Sequence, residues 1–432
     1  MSVLQQIPAI MRVLIVFVCV LFLIRKKLSL GHTFVMGSIL LSVFFGMHPK
    51  AMIGSMAGSI VYPKTLSLAL IVSLILVLSS SLELSGQMSR LLGNFKGLIT
   101  NIKINLIIFP ALIGLLPMPG GAVFSAPMVK DLGMQSDLSG DELSFINYWF
   151  RHIWEYWWPL YPGVLLATVI ANINIFKFIC FMCPITLLAV YLGYLPLKDL
   201  HQISGTPPSH HSDAAVWPFF REMTPILLLI IPGLCMGICF SYLFQHLSIS
   251  KEIGLILALL MSIGWVWFKN SLSKDKIWKV ISNPQNLNMM YIVASILIFK
   301  GILEDSHAVE AISSELIMIK VPLMLIAVIL PFLVGLITGI TIAFVGVTLP
   351  ILIPLIHSLG ETAFIIPYVM LTMVCGFSGV LLSPLHLCLI LSNEYFNAGM
   401  GAVYKHFWLL CICLMSSGMA YFLISHFIIK II

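Results

Sequence analysis

Residues 109–128 read Phe109-Pro110-Ala111-Leu112-Ile113-Gly114-Leu115-Leu116-Pro117-Met118-Pro119-Gly120-Gly121-Ala122-Val123-Phe124-Ser125-Ala126-Pro127-Met128. They lie in an apolar window, residues 97–129, that is too long for one ordinary membrane helix of about 20 residues. Three prolines and two glycines fall between residues 117 and 127. Proline lacks a backbone donor and clashes with the preceding turn, so no continuous helix passes this point. The chain must turn near Pro117–Gly121, as a re-entrant hairpin or as two crossing helices. Irregular backbone leaves polar groups unpaired, which hydrocarbon does not tolerate, so the turn is expected inside protein or beside water. Freed N–H groups at a helix start favour an anion, and freed carbonyls favour a cation.

The rest of the chain suits a bilayer. Its 432 residues are 60% hydrophobic and 9% charged, whereas soluble chains are roughly 25% charged. A soluble enzyme, a nucleic-acid binder and a disordered hub are excluded as readings of the whole chain. The net charge of +6 implies no nucleic acid, because the basic residues sit at segment ends. The nine cysteines lie in apolar runs, where a thiol behaves as a small hydrophobe, and Cys180 and Cys183 lack the context of a redox motif. Residues 7–24 are followed, not preceded, by Arg25, Lys26 and Lys27. This reads as a retained first span with its N-terminus outside.

A second window, residues 320–356, has the same excess length and is broken by Gly and Thr. If both windows are hairpins, the loops near 25–29, 86–103, 130–155, 196–222, 267–287 and 393–405 face inside. Those loops hold 15 of the 23 Lys and Arg residues, as the positive-inside rule requires. The two halves also align. Residues 109–116 fall on Leu330-Pro331-Phe332-Leu333-Val334-Gly335-Leu336-Ile337 at an offset of 221, and Trp157-Trp158-Pro159-Leu160 falls on Leu382-Ser383-Pro384-Leu385 at 225. With five full spans per half, the second half is inserted upside down. The expected fold is an all-α polytopic membrane protein of inverted-topology repeats, with about 10 transmembrane helices and two re-entrant hairpins with broken helices. The first repeat covers 1–195, with its hairpin near 97–129 and broken helix near 147–175. Residues 196–221 form a linker. The second repeat covers 222–432, with its hairpin near 320–356 and broken helix near 363–392.

Interrupted segments in matching positions point to a binding site. The first hairpin contributes Pro119, Gly120, Gly121 and Ser125, and the second Thr338, Gly339 and Thr341. The alternative is that these small residues only permit close helix packing. In the first broken helix Asn147, Arg151 and Glu155 share a face at i, i+4, i+8, beside an aromatic stripe of Phe150, Trp154, Trp157 and Tyr161. Either this is an interfacial belt with a snorkelling Arg–Glu pair, or Arg151 and His152 attract an anion while Glu155 fixes the arginine or exchanges a proton. The second broken helix offers Ser378, Ser383 and His386, and His386 suits proton coupling. Glu83, Glu304, Asp305 and Glu394 read as boundary charges.

No Gly-Lys dipeptide of a phosphate-binding loop and no HExxH motif occurs. No cofactor or metal site is therefore expected, apart from Na+ or H+ as a coupling ion. A different class, an intramembrane serine hydrolase, would use Ser378 in Gly376-Phe377-Ser378-Gly379 as nucleophile. His386 is about 12 Å further along a helix, so another helix would have to supply the base. The reading that accounts for both hairpins is a secondary active transporter of a small solute.

The strings Met118–Met128, Asn147–Glu155 and Ser383–Leu389 resemble those of a prokaryotic membrane family known as domain of unknown function 401, which is grouped with the ion transporter superfamily. The resemblance runs over nearly the full chain. It implies two inverted repeats whose hairpins and broken helices meet near mid-membrane, a multi-pass protein of the cell's inner membrane, and a homodimer by analogy. The superfamily includes sodium-coupled carboxylate carriers, gluconate-type permeases, sodium/proton antiporters and arsenite exporters. The carboxylate carriers place Ser-Asn-Thr at their hairpin tips, whereas this chain has Pro-Gly-Gly and Thr-Gly-Ile-Thr. The expectation is symport of an organic anion with H+ or Na+, with cation/proton antiport as the alternative.

Overall fold

The computed structural model describes residues 6–95, 98–99, 101–118, 120–133, 138–198, 216–244, 246–247 and 249–431. All regular structure among them is helical. The first ten helices are α1 (Ala9–Arg25), α2 (Leu30–Phe44), α3 (Pro49–Val61), α4 (Pro63–Leu84), α5 (Gln87–Phe95), α6 (Ile102–Gly114), α7 (Ala122–Gly133), α8 (Gly140–Arg151), α9 (Pro162–Ile170) and α10 (Ile175–Tyr194). After residues 199–215, which include most of the expected linker and lie outside the described residues, come α11 (Val216–Leu243), α12 (Ser250–Lys269), α13 (Lys274–Ile281), α14 (Pro284–Asp305) and α15 (Ala308–Ile319). The last five are α16 (Leu323–Thr338), α17 (Thr341–Ser358), α18 (Ile365–Leu381), α19 (Leu387–Phe396) and α20 (Met400–Ile431).

Among the described residues, eight helices are long and apolar enough to cross a membrane, or nine if α15 and α16, bent by 118° at their junction, count as one span. The chain is a multi-pass helical membrane protein. Helices α1 and α2, expected as spans, have 17 and 15 residues and fall short of that length. The short α5 and α13 escape the hydropathy windows because they are amphipathic: α5 buries Met88, Leu91, Leu92 and Phe95 at helical spacing.

The helix pairings recur when α1–α10 are laid in order on α11–α20. Helix α1 packs on α2 and α11 on α12; α2 packs on α14 and α4 on α12; α3 packs on α14 and α13 on α4. Helix α6 packs on α7 and α8, as α16 does on α17 and α18. The exchange between halves is reciprocal, with α9 against α17 and α19 against α7. The aligned glycines extend the match to single atoms. A Cβ on Gly114 would lie 2.0 Å from the carbonyl oxygen of Arg151, and one on Gly335 would lie 2.2 Å from that of Gly376. Residues 151 and 376 are themselves related by the second sequence offset, 225.

Two expectations change. In the second expected broken helix, 363–392, the interruption is confined to residues 382–386, and α18 is continuous through Gly376-Phe377-Ser378-Gly379. Gly379 is there for packing: a Cβ would lie 2.2 Å from the carbonyl oxygen of Phe332 in α16. Small residues let the two helices cross closely here. In the first half α8 stops at Arg151, with His152 as its C-cap. Glu155 accordingly leaves the helical face expected to hold it beside Asn147 and Arg151.

Glu83, Glu304, Asp305 and Glu394 are exposed, and Lys300 pairs with Glu304 at 3.2 Å. Glu222 of α11 gathers Lys269 at 3.1 Å and Arg90 at 3.5 Å, tying α5, α11 and α12 together.

Candidate functional site

The site forms where the two helix pairs and the two breaks meet. Helix α8 starts with a capping box in which Ser139 and Glu142 satisfy each other's backbone N–H. All residues from Leu143 to Arg151 are buried. The backbone then turns from His152 to Tyr161, and α9 restarts with Pro162 at its first position, where proline's missing donor does no harm. The turn is pinned by its aromatic side chains. Trp154 Nε1 donates to the Ala111 carbonyl (2.8 Å), Trp158 Nε1 to that of Leu115 (2.9 Å) and the Tyr161 hydroxyl to that of Gly114 (2.6 Å). These are carbonyls at the C-terminal end of α6, which a buried helix terminus would otherwise leave without partners. The Trp157 indole donates to Thr186 Oγ1 at 2.6 Å. The aromatic stripe thus serves as an internal brace.

Arg151 is 2% exposed and does not snorkel. Its Nη2 donates to the Met118 carbonyl at 2.6 Å and its Nη1 to Cys388 Sγ at 3.3 Å, with His152 Nε2 3.4 Å away. Its Nε is buried with no acceptor among the described residues. Glu155 does not fix it, since no carboxylate lies within ion-pair distance of the guanidinium among the described residues. Glu155 Oε2 instead accepts from the Thr341 hydroxyl at 2.9 Å, at the first residue of α17, and Oε1 lies 3.7 Å from His152 Nε2. Carboxylates are favoured at helix N-termini.

His152 and His386, one from each half, approach with Nε2 atoms 3.1 Å apart. His152 Nδ1 lies 2.5 Å from the Tyr148 carbonyl. Both rings stand edge-on to Tyr148, at 4.7 and 5.3 Å between centroids. With Cys388 Sγ, the ligating atoms of the two histidines lie within 4.8 Å of one another. Such a set could hold a soft metal ion, but Arg151 Nη1 already stands against both the sulfur and His152. The guanidinium is the cation of this cluster.

Ser125 and Asn147 form the other polar link. The Ser125 hydroxyl donates to Asn147 Oδ1 at 2.6 Å, and Asn147 Nδ2 donates to the Ala122 carbonyl at 2.9 Å and to Ser392 Oγ at 2.8 Å. Ser144 donates to Asn393 Oδ1 at 2.6 Å. These bonds join α7 and α8 to α19, across the two halves.

Gly120 and Gly339 both have positive φ, +72° and +65°, the conformation that glycine supplies at such turns. Gly339 lies against the second break: a Cβ there would be 3.0 Å from Ser383 Oγ and from the His386 nitrogen. Ser383 Oγ accepts from the Leu385 N–H at 3.3 Å. Gly121 gives its side-chain space to Arg151. Thr338 donates back to the Val334 carbonyl at 2.8 Å, and Ser378 to that of Val374 at 2.8 Å. Neither hydroxyl makes a bond to the cluster among the described residues. Pro119 lies outside the described residues.

The residues missed by sequence reasoning are Cys388, Tyr148, Ser392 and the Met118 carbonyl. Cys388 had a weak signal, its His-x-Cys spacing with His386 in the second break; a backbone carbonyl has none. No curated protein matches the chain. Over residues 9–424 the sequence matches the family described as Protein of unknown function (DUF401), and the chain belongs to that family.

Proposed function

We propose that this protein is a secondary active transporter for a small organic anion, coupled to a proton or sodium gradient and working by alternating access in the cell's inner membrane. The observation that carries the reading is Arg151, a buried guanidinium that, among the described residues, has no carboxylate partner and an Nε with no acceptor. An unpaired buried charge costs several kcal/mol. A ligand carboxylate would complete the fork of donors, and Arg is suited to bind it with two parallel hydrogen bonds.

The surrounding architecture supports transport. We read the recurring helix pairings as two repeats of inverted topology, in which α6–α7 and α16–α17 are re-entrant hairpins and α8–α9 and α18–α19 are broken helices. The reciprocal contacts of α9 with α17 and α19 with α7 favour this duplication. Helices α1–α4 and α11–α14 would form a scaffold against which the site-bearing helices move. Cation/proton antiport is a second reading, with Glu155 as its donor, but Arg151 beside the same cluster weighs against a bound cation. The hydrolase reading has little support, since the Ser378 hydroxyl is bonded to the Val374 carbonyl of its own helix.

The test is uptake into proteoliposomes across a panel of carboxylates, sugar acids and inorganic cations, under separate pH and sodium gradients. Gradient-driven accumulation of at least one anion is expected. Arg151→Ala should weaken its apparent affinity about 10- to 100-fold, the loss of one charged hydrogen-bonding group. Uptake of no anion, or of cations alone, overturns the reading.

A further inference from the structure

The hydrogen-bonding capacity of the histidine pair constrains its protons. The Tyr148 carbonyl can only accept, so His152 Nδ1, 2.5 Å away, carries the hydrogen. In the neutral ring Nε2 is then a bare acceptor. His386 Nε2 lies 3.1 Å from it, and the Val380 carbonyl, which can only accept, also faces the His386 ring. His386 Nδ1 is buried with no hydrogen-bond partner among the described residues, so whichever nitrogen carries the hydrogen, the neutral ring keeps one open acceptor. Glu155 Oε1 is a further acceptor 3.7 Å from His152 Nε2. The cluster thus holds three acceptors with fewer protons than it can take.

Charge decides when another proton enters. The charged groups around the pair are Arg151 and Glu155 from the first half. Among the described residues the other titratable groups are Tyr148, Tyr156 and Tyr161 beside them, Cys388 from the second half, and Cys411 of α20 behind Tyr148. Phe377 is what α18 presents to the His152 ring. With Arg151 positive and Glu155 negative the ledger is zero. A proton alone would leave one uncompensated positive charge in a buried site, and an anion alone one negative charge; either is expensive. Entering together they cancel. A hard cation such as sodium would look for several oxygen donors, but two of the three open acceptors are imidazole nitrogens, only Glu155 Oε1 is an oxygen, and Glu155 Oε2 is already bonded to Thr341.

We infer that the His152–His386 pair binds the proton that travels with the anion, making the transporter an electroneutral proton symporter that moves one H+ per negative charge. This rests on Arg151 being the anion seat. The proton forms an N–H bond on the pair as the anion meets the guanidinium, and it leaves when the anion does.

The experiment uses the full chain in proteoliposomes without sodium, with acetate, gluconate and citrate as probes, measuring binding from pH 5 to 9 and alkalinisation of a weakly buffered medium during uptake. For a monoanion the apparent affinity should fall about tenfold per pH unit above the titration of the pair. Uptake should alkalinise the medium and be insensitive to an imposed membrane potential. In His386→Gln and, separately, His152→Gln, the pH slope should flatten whatever the remaining affinity. An anion that binds with no pH slope and no proton uptake, or that needs sodium, overturns this inference while sparing the anion reading. Absence of binding by every probe overturns both.

Discussion

Arg151 occupies the space that a side chain at Gly121 would need: a Cβ there would lie 2.4 Å from Nη2 and 3.0 Å from Nε of the guanidinium. The glycine at this hairpin turn thus sets how closely the arginine approaches the α7 N-terminus. Gly121→Ala should displace the guanidinium and lower anion affinity at least tenfold, at a stability cost of about 1–3 kcal/mol. Affinity and thermal unfolding, measured on the same preparation, check this. Unchanged affinity would mean that Arg151 acts from another position.

Gly114 meets backbone, which cannot swing aside as a side-chain tip can. Gly114→Ala, with its Cβ 2.0 Å from the Arg151 carbonyl oxygen, should destabilise by more than about 3 kcal/mol or prevent folding. Gly54→Ala in α3 is the control: nothing lies within 4 Å of its Cβ, and helix propensity makes the change neutral or mildly stabilising. Expression and unfolding temperature of the two variants should diverge accordingly.

Asn147 joins the halves through Ser125 and Ser392. Asn147→Leu strips a buried network of donor and acceptor together: Ser392 loses its bond to Asn147, and of these side-chain bonds Ser125 and the Ala122 carbonyl keep only their longer 3.4 Å bond to each other. A loss of about 2–4 kcal/mol is expected, with Ser392→Ala costing less, about 1 kcal/mol. In the double variant the two costs should not add, as a cycle of unfolding measurements will show.

Asp141, partly exposed in the first turn of α8 ahead of its buried run from Leu143, accepts a 2.7 Å hydrogen bond from His406 Nε2. That bond holds its carboxyl below the ordinary carboxylate range, against a smaller opposing effect of burial. A depressed value in the folded state stabilises fully above the unfolded value, about pH 4. The contribution is lost as pH falls through the lower folded value. Both side chains are partly exposed, so it amounts to at most about 1 kcal/mol. Asp141→Asn should therefore lower the unfolding temperature slightly at pH 6, and the difference should vanish towards pH 3.

Lys103 and Lys130 flank the α6–α7 unit. As a re-entrant hairpin it brings both ends to one face of the membrane. Cysteines at these two positions should react with an impermeant thiol reagent from the same side. Labelling from opposite sides would make the unit a crossing pair and remove the first hairpin.

Composition alone made this a membrane protein, because a chain with so few charges cannot coat itself for water. The turn at Pro117–Gly121 was equally legible, since proline and glycine act locally through backbone sterics. The helix pairs, the breaks before Pro162 and at Pro384, and most residues of the polar cluster follow from those local rules and the offsets of 221 and 225. Three things were beyond local rules. Glu155 reaches Thr341 and not Arg151 because α8 ends one turn earlier than its periodicity suggests, held off course by tryptophans bonded to α6. Gly376–Gly379 stays helical because α16 needs a close crossing there. Cys388 and His386 meet Arg151 and His152 only because segments more than 230 residues apart in the chain are interleaved. Sequence determined where the backbone must break; tertiary packing decided which side chains fill the breaks, since partners so far apart leave no trace in either segment's own pattern.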